Sequence, residues 1–302
     1  MSMSWKRLYA YLRRRLSFAD ALPSDCGRDT YVSIEDPVVI GGAGRSGTTL
    51  LSVILNAHPD VYCGEEHGLL SREGTSISKI VDIHGLDADR LKNLAADSWS
   101  RWQFVERVIR TVKSVENVGV FTTKNPTYIF DLPTILGIFP NARFIHMYRD
   151  GRDVAVSMRE HLDHIGVRYD ATYDEEGELS VRYCAQTWRT FINASRTFRS
   201  DDRTHAVAYE DLVTRPAETI RRLCEFLDLK YVSSMVHDHE RGFEGRTDPT
   251  REHHQRLHHS IQDDRVQNWT RELTSAQVRE FERHAAPALR YMGYSLASEG
   301  RQ

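Results

Sequence analysis

The sequence has little cysteine, no long apolar run and no excess of basic residues, and each absence excludes a class of protein. Its four cysteines, Cys26, Cys63, Cys184 and Cys224, fall in no metal-ligand spacing, and such sparse cysteine is typical of a reducing compartment. No apolar stretch approaches the ~18 residues that a transmembrane helix needs. The formal net charge of -3 lacks the basic excess with which nucleic-acid-binding domains hold phosphates. The sequence therefore predicts a cytoplasmic globular protein that binds no nucleic acid.

The first 20 residues do not have the layout of a signal peptide, because basic residues interrupt the apolar ones instead of preceding them. They are better described as a basic amphipathic helix, which could make peripheral contact with a membrane or pack on its own domain or a partner. We assign residues 1–30 to this N-terminal extension and residues 31–297 to one folded domain. The apolar face of the predicted helix consists of Trp5, Leu8, Leu12 and Leu16.

Short apolar segments alternate along the chain with segments of helical periodicity. Strands are predicted at residues 37–41, 118–123, 142–148 and 204–209. Helices are predicted at residues 48–57, 86–115, 128–139, 150–161, 179–198, 215–227 and 273–290. Because buried strands separated by helices form βαβ units, we expect one α/β domain with a central parallel sheet of about five strands, flanked by helices. Ligands of such sheets bind beyond the carboxyl ends of the strands.

A glycine-rich segment, GGAGRSGTTL from Gly41 to Leu50, joins the first strand to the first helix. Its glycines allow a tight turn with inward-pointing amide groups, and the helix N-terminus adds partial positive charge, so the segment is suited to cradling a phosphate. It departs from the nucleoside-triphosphate loop GxxxxGK[ST], because Thr48 stands where the lysine should be. The pattern favours an anion site that does not hold a triphosphate with magnesium, although an ordinary glycine-rich turn stays open.

Several segments together resemble the sulfotransferases that use 3′-phosphoadenosine 5′-phosphosulfate (PAPS), above all the tyrosylprotein sulfotransferases and their bacterial relatives. GRSGTTLL, followed by LNAHPDVYCGEE from Leu55 to Glu66, is similar to the 5′-phosphosulfate loop of that family. The likeness continues at residues 124–126, 148–157 and 209–212. It implies a P-loop-kinase-like sulfotransferase fold for the main domain. It also implies an enzyme that moves a sulfuryl group from PAPS to a hydroxyl or amine and releases adenosine 3′,5′-bisphosphate.

The resemblance implies which residues bind the donor. Arg149, after the third predicted strand, and Ser157 on the next helix would hold the 3′-phosphate, because guanidinium and hydroxyl groups both donate to phosphate. Arg149 could instead pair with an aspartate of its own helix. Tyr209 would contact the nucleotide or serve as a core residue, and His161 stands where the family often has a further basic residue. The 5′-phosphosulfate would be held by Arg45, Ser46, Gly47, Thr48 and Thr49.

The resemblance also implies the catalytic residues. Lys124 and Arg45 would stabilise the charge on the sulfuryl oxygens and the leaving phosphate. Glu66 would be the general base, because an acceptor hydroxyl attacks poorly while it is protonated. Glu65 and His67 compete for that role by position, and in an extended segment those two share one side while Glu66 faces the other. Lys124 and the glutamates could alternatively be solvated surface charges.

Two departures from the family pattern bear on compartment and on the tail. In the secretory-pathway tyrosylprotein enzymes a disulfide joins the cysteine that matches Cys63 to a residue just before the lysine, where this chain has Thr123. That bridge cannot form here, and we take this as support for a cytoplasmic location. Asn268 and Thr270 stand where the family tends to have basic residues, so Trp269 is given no role beyond packing.

The acceptor is indicated by charge alone. If the acidic stretch at residues 169–178 lines the acceptor entrance, it should repel acidic peptides. We therefore expect a small-molecule, sugar or lipid acceptor in preference to an acidic tyrosine peptide, although the arginines at residues 241–256 could reverse the field. The acidic residues of the stretch are Asp170, Asp174, Glu175, Glu176 and Glu178.

Four histidines between His253 and His259 could bind a zinc ion if they lie one helical turn apart. No cysteine or carboxylate set accompanies them, and the resemblance implies that sulfuryl transfer needs no metal. We expect a solvated or lid segment there, PAPS as the donor, and no metal.

Two other functions stay open. A small-molecule kinase could use the same fold, but Thr48 and the Arg149–Ser157 pair do not suit ATP. A non-catalytic nucleotide-binding scaffold would need neither Glu66 nor Lys124.

Overall fold

The computed structural model describes residues 31–165, 173–174, 178–239, 261–297 and 299, and of residues 161–165 the backbone only. Within them, five parallel strands form one sheet in the order β2-β3-β1-β4-β5. This confirms the predicted α/β class with a central parallel sheet. The strands are β1 (Val38–Gly42), β2 (Val61–Cys63), β3 (Val120–Lys124), β4 (Arg143–Tyr148) and β5 (Thr204–Ala208).

Helices flank the sheet, and a short 3-10 turn, Arg196–Phe198, follows one of them. In the described residues the longer helices are α1 (Thr48–Asn56), α2 (Ile77–His84), α3 (Ala88–Ala96), α4 (Arg101–Glu116), α5 (Tyr128–Ile138), α6 (Gly151–Ile165), α7 (Val181–Ser195), α9 (Pro216–Phe226) and α12 (Ser275–Met292). The shorter ones are α8 (Tyr209–Thr214), α10 (Ser234–His237) and α11 (Trp269–Glu272).

The central strand β1 is buried on both faces. Its neighbouring side chains point to opposite sides of the sheet, and a buried cluster covers each side. Val39 joins a buried cluster with Phe121, Phe144 and the apolar faces of α4 and α5. Ile40 joins another, with α1 and α9, on the opposite face. Both side chains have 0% of their surface exposed. Strand β1 is thus a rigid base for the loop at its carboxyl end.

The structure differs from the prediction mainly between the first helix and the third strand. Strand β2 was missed, since three residues are too few to show a period. The helix predicted at residues 86–115 is two helices, because the side chain of Ser100 accepts a hydrogen bond from the backbone of Gln103 and starts a new one. Helix α2, Ile77–His84, was not predicted at all.

The N-terminal extension at residues 1–30 lies outside the described residues. The division into this extension and a domain at residues 31–297 therefore stays a prediction. Within the part of the chain that the structure describes, no helix combines the length and the apolar character needed to cross a membrane.

Candidate active site

The loop between β1 and α1 adopts the open turn that its glycines permit. Gly42 and Gly47 have φ values of 142° and 91°, and Arg45 between them has a φ of 67°. A Cβ atom on Gly42 would lie 2.0 Å from the carbonyl oxygen of Met147, so no other residue fits there. Gly47 caps α1 without a side-chain hydrogen bond. The first amide groups of α1 therefore face the loop without a side chain to satisfy them, as at other anion-binding helix ends.

Arg45 connects this loop to helix α6. Its Nε donates a hydrogen bond to the Oγ of Ser157, at 3.2 Å. Burial, and next the positive charge of Arg149, lower the pKa of Arg45. The hydroxyl of Ser46 is fully buried and has no hydrogen-bond partner among the described residues. The loop thus places the Arg45 guanidinium near a second cation, Arg149, and beside a buried donor without a partner in the described residues, an arrangement suited to an anion.

Arg149 follows β4 and is 6% exposed. Its guanidinium lies 4.3 Å from the centre of the Tyr209 ring, and one of its terminal nitrogens donates to the backbone oxygen of Arg265. Its Nε is buried with no partner in the described part of the chain. The end of β4 therefore supplies a second cationic group that can donate further hydrogen bonds, next to the one on the loop.

The predicted alternative for Arg149, a salt bridge on its own helix, is only partly realised. Its Nη2 lies 3.8 Å from an oxygen of Asp153, which also accepts from the backbone amides of Gln267 and Trp269. Asp150 instead pairs with Arg152, at 2.7 Å. Asp153 thus serves mainly to hold the segment that leads into α11.

Lys124 ends β3 beside the loop and is not a surface lysine. Its side chain is 7% exposed, whereas that of Glu66 is 49% exposed. The ammonium donates to the Oγ1 of Thr49 at 2.9 Å and lies 3.6 Å from an Oε of Glu66. Lys124 therefore bridges the first turn of α1 and the segment that follows β2.

The structure separates the three candidates for the general base. Glu66 is the one whose carboxylate contacts Lys124. His67 is 1% exposed, and both of its ring nitrogens are hydrogen-bonded, to His84 and to the backbone oxygen of Glu65. Burial lowers the pKa of His67 to about 4. A buried imidazole with both nitrogens engaged is poorly placed to take a proton from an acceptor.

Three residues near this sheet edge were given no functional role from the sequence. Asn125 donates to the backbone oxygen of His67, and its own amide nitrogen bonds the oxygen of Ile40. Arg265 provides the oxygen that receives Arg149. Trp269, assigned only packing, lies under the Arg152 guanidinium at 3.9 Å. The motif KNP marked the first of these positions, but no sequence signal marked the contact with Arg265.

Several predicted features fall outside the described residues: the histidines at residues 253–259, the side chain of His161, and most of the acidic stretch at residues 169–178. In the described residues no group of three or more His, Cys, Asp or Glu side chains could hold a metal ion. Metal independence stays a prediction.

A model of the sulfotransferase family matches residues 37–233. The chain belongs to this family. It is 30% identical over 269 residues to a Caenorhabditis briggsae protein provisionally named a protein-tyrosine sulfotransferase, covering 88% of this chain and 91% of that protein. It is 32% identical over 210 residues to protein-tyrosine sulfotransferase 1 of Danio rerio, covering 67% of this chain and 56% of that enzyme. The match therefore spans little more than half the length of the Danio relative.

Solved structures of sulfotransferases share the fold. The sulfotransferase domain of the Synechococcus PCC 7002 olefin synthase superposes with a TM-score of 0.64 at 19% identity, over 90% of this chain and 100% of that domain. The sulfotransferase domain from the curacin biosynthetic pathway gives 0.60 at 22% identity, over 87% and 100%. A mouse sulfotransferase in complex with PAP gives 0.50 at 14%, over 88% and 92%. The predicted family, sulfotransferase fold and class of enzyme are thus confirmed.

The predicted preference for a small-molecule, sugar or lipid acceptor over an acidic peptide is wrong, because the relatives are protein-tyrosine sulfotransferases. The prediction took the stretch at residues 169–178 as unpaired negative charge. Its described part is in fact paired, since the Arg159 guanidinium contacts the carboxylates of Asp174 and Glu178. Two of the five acidic side chains of the stretch are therefore partly neutralised by a cation.

The predicted cytoplasmic location is also contradicted by these relatives, since the tyrosylprotein enzymes that the sequence resembles belong to the secretory pathway. The predicted location rested on the sparse cysteine and on the missing disulfide partner at Thr123. In the structure the Oγ1 of Thr123 lies 3.1 Å from the Tyr128 hydroxyl, so a buried hydrogen bond occupies this place. One lost disulfide position does not identify a compartment.

Proposed function

We propose that this chain transfers a sulfuryl group from PAPS to the hydroxyl of a tyrosine in a peptide or protein, with Glu66 as the general base. The observation that carries the proposal is the place of Lys124. Its ammonium contacts the Thr49 hydroxyl at 2.9 Å on the loop side and the Glu66 carboxylate at 3.6 Å on the other. Transfer of a sulfuryl group from a donor oxygen to an acceptor oxygen requires a cation near both, and Lys124 lies between the loop proposed for the donor and the proposed base.

Two features support a donor that carries a 5′-phosphosulfate and a 3′-phosphate. The loop offers the buried Ser46 hydroxyl, which has no partner among the described residues, and the guanidinium of Arg45. Arg149 offers a buried Nε that is likewise unpaired in the described chain. Ser157 accepts a hydrogen bond from Arg45 and keeps its own proton to donate. The residues present therefore fit a ligand with two separate anionic groups.

The remaining loop residues and Tyr209 complete the proposed donor site. The backbone of Gly47 and the first turn of α1, with Thr48 and Thr49, would direct amide and hydroxyl donors at the 5′-phosphosulfate. Tyr209 would present the edge of its ring to the nucleotide while its face supports Arg149, 4.3 Å away. The mouse sulfotransferase was solved with PAP, which is adenosine 3′,5′-bisphosphate, the product that PAPS leaves after transfer. This supports PAPS as the donor here.

The chemistry would be an in-line displacement at sulfur. Glu66 takes the proton of the tyrosine hydroxyl, whose ordinary pKa is about 10. The oxygen attacks sulfur, and the bond from sulfur to the 5′-phosphate oxygen breaks. Lys124 and Arg45 stabilise the charge that develops on that leaving oxygen. The protein contributes mainly positioning and electrostatics, as in phosphoryl transfer.

Radiolabelled PAPS tests the proposal. We expect transfer to a peptide whose tyrosine is flanked by acidic residues, and none to the same peptide with phenylalanine in its place. Glu66→Gln should lower turnover by about 10²–10⁴-fold with little change in PAPS affinity. Glu65→Gln is the matched control. The carboxylate paired with Lys124 is that of Glu66, and the hydrogen bond to Glu65 is made to its backbone oxygen, which the substitution keeps.

Three results would overturn the proposal. Transfer of a labelled γ-phosphate from ATP would favour the kinase. Tight PAPS binding with no transfer to any acceptor would favour the scaffold. Full activity in Glu66→Gln with none in His67→Ala would move the base to the neighbouring histidine.

A further inference from the structure

A buried line of hydrogen bonds runs from the sheet to the segment that carries Glu66. The hydroxyl of Tyr62 on β2 lies 2.7 Å from the Nδ1 of His84, the last residue of α2. The Nε2 of His84 lies 3.1 Å from the Nε2 of His67, whose Nδ1 lies 2.8 Å from the backbone oxygen of Glu65. All three residues are buried: Tyr62 is 2% exposed, His84 5% and His67 1%. We call Tyr62, His84 and His67 the imidazole relay.

The chemistry of the last group fixes the direction of every bond in the relay. A carbonyl oxygen can only accept, so the Nδ1 of His67 carries a proton. A neutral imidazole has one N–H, and therefore the Nε2 of His67 accepts. His84 must then donate from its Nε2 and accept at its Nδ1, which leaves Tyr62 as the donor. The Tyr62 hydroxyl also lies 3.4 Å from the backbone oxygen of Ile83, a longer contact than the 2.7 Å to His84.

Burial keeps the relay in this state. It lowers the pKa of His67 to about 4 and that of His84 well below its ordinary value. Both rings are therefore neutral near pH 7, and only one tautomer of each satisfies all three bonds. The relay has a single arrangement, in which Tyr62, His84 and His67 donate in sequence to the oxygen of Glu65.

Backbone oxygens of the residues on both sides of Glu66 are held by hydrogen bonds. The relay ends on the backbone oxygen of Glu65. The backbone oxygen of His67 accepts from the Nδ2 of Asn125 at 3.3 Å and from the hydroxyl of Tyr128 at 2.8 Å. The Glu66 side chain itself is half-exposed, so its place next to Lys124 depends on the backbone that carries it.

We infer that the imidazole relay positions the Glu66 carboxylate against Lys124, with His84 as the residue that fixes the tautomer and orientation of His67. The inference rests on the proposed role of Glu66 as the base. His84 would be a positioning residue that touches neither donor nor acceptor. Loss of its N–H leaves the Nε2 of His67 without a donor, and His67 is then free to turn away from Glu65. A shift of about 1 Å at a reacting group can cost on the order of 10²-fold in rate.

The test uses His84→Phe, which keeps a ring but removes both bonds, and His84→Gln, which can still donate towards His67. We expect His84→Phe to lower kcat by about 10–100-fold while the Kd of adenosine 3′,5′-bisphosphate stays within about twofold. His84→Gln should recover most of the loss. His146→Phe is the matched control, because it removes a buried imidazole on β4 whose Nε2 has no partner among the described residues.

A double-mutant cycle separates positioning from general damage. In the Glu66→Gln background, His84→Phe should cost almost nothing further, because there is no base left to position. If His84→Phe costs as much in that background as alone, or if kcat of the folded single variant equals that of the wild type, the inference is overturned. Should His84→Phe not fold, Tyr62→Phe replaces it in the cycle, with an expected loss of about 3–10-fold that is also absent from Glu66→Gln. Failure of the proposed function gives a different result: Glu66→Gln itself keeps full turnover.

Discussion

The ammonium of Lys124 lies 3.6 Å from the carboxylate of Glu66 and 2.9 Å from the hydroxyl of Thr49. One buried cation thus contacts both the first turn after the glycine-rich loop and the segment after β2. These two segments join the sheet through different strands. Parallel strand ends meet at one edge of the sheet, and this is the physical reason that residues far apart in sequence meet here.

Removal of the charge at Lys124 should affect the rate more than donor binding. Lys124→Met keeps the length and apolar stem of the side chain and removes the ammonium. We expect kcat to fall by about 10²–10³-fold, the cost of losing one preorganised group that stabilises developing charge. Affinity for adenosine 3′,5′-bisphosphate, which has no sulfuryl group, should change much less. Steady-state kinetics and calorimetry measure the two quantities.

The control for this variant is Lys79→Met, which removes an exposed ammonium from α2. It should leave both quantities as in the wild type. If Lys124→Met turns over within threefold of the wild type, Lys124 does not act on the transition state.

Stability should fall as the pH is lowered below about 6.5. Burial lowers the pKa of His67 and His146 to about 4, and also lowers the pKa of His84. The unfolded chain binds protons at its ordinary histidine pKa of about 6.5, while the folded chain does not. Stability is therefore complete above that pH and is lost as the pH falls towards 4. His67 and His146, whose folded pKa is about 4, should each cost about 1.4 kcal/mol between pH 7.5 and pH 5.5.

Urea unfolding at these two pH values measures the effect. His146→Phe removes one contribution, so the loss of unfolding free energy in this variant should be smaller by about 1.4 kcal/mol than in the wild type. The same loss in both proteins would show that His146 does not titrate with a lowered pKa.

Sulfuryl transfer should not need a metal ion. The cations at the candidate site are side chains: Arg45, Lys124 and Arg149. We expect the rate of transfer from labelled PAPS to be the same in excess EDTA as in its absence. A rate that collapses with chelator and returns with zinc or magnesium would contradict this and direct attention to His253–His259.

Most of the proposed donor site could be predicted from local sequence. The glycine-rich loop could be predicted because Gly42 and Gly47 are positions where backbone geometry excludes other residues. Arg149 could be placed at a strand end because it directly follows the mostly apolar segment of β4, RFIHMY, and begins a run of mostly charged residues. In each of these cases a local rule decides the structure, so a short stretch of sequence is sufficient.

The features that could not be predicted depend on contacts between segments that are far apart in the sequence. His84 and His67 meet where the end of α2 contacts the side chain of Tyr62 on β2, and no periodicity marks that contact. The backbone oxygen of Arg265 accepts a hydrogen bond from the Arg149 guanidinium, and Arg265 lies in a segment whose sequence has no motif. The wrong acceptor prediction relied on the charge of residues 169–178 alone, and that charge was read without Arg159, which contacts Asp174 and Glu178.

The central claim is that the anion site holds a donor with a 3′-phosphate, and calorimetry tests it most directly. Adenosine 3′,5′-bisphosphate and adenosine 5′-monophosphate differ only in that phosphate. The account predicts that the bisphosphate binds more tightly by about 2–3 kcal/mol, the value of a charge-assisted contact, and that Arg149→Ala loses most of the difference. Arg182→Ala, at an exposed position on α7, should keep it. Equal affinity of the wild type for the two nucleotides, or tighter binding of ATP with magnesium, would contradict the account.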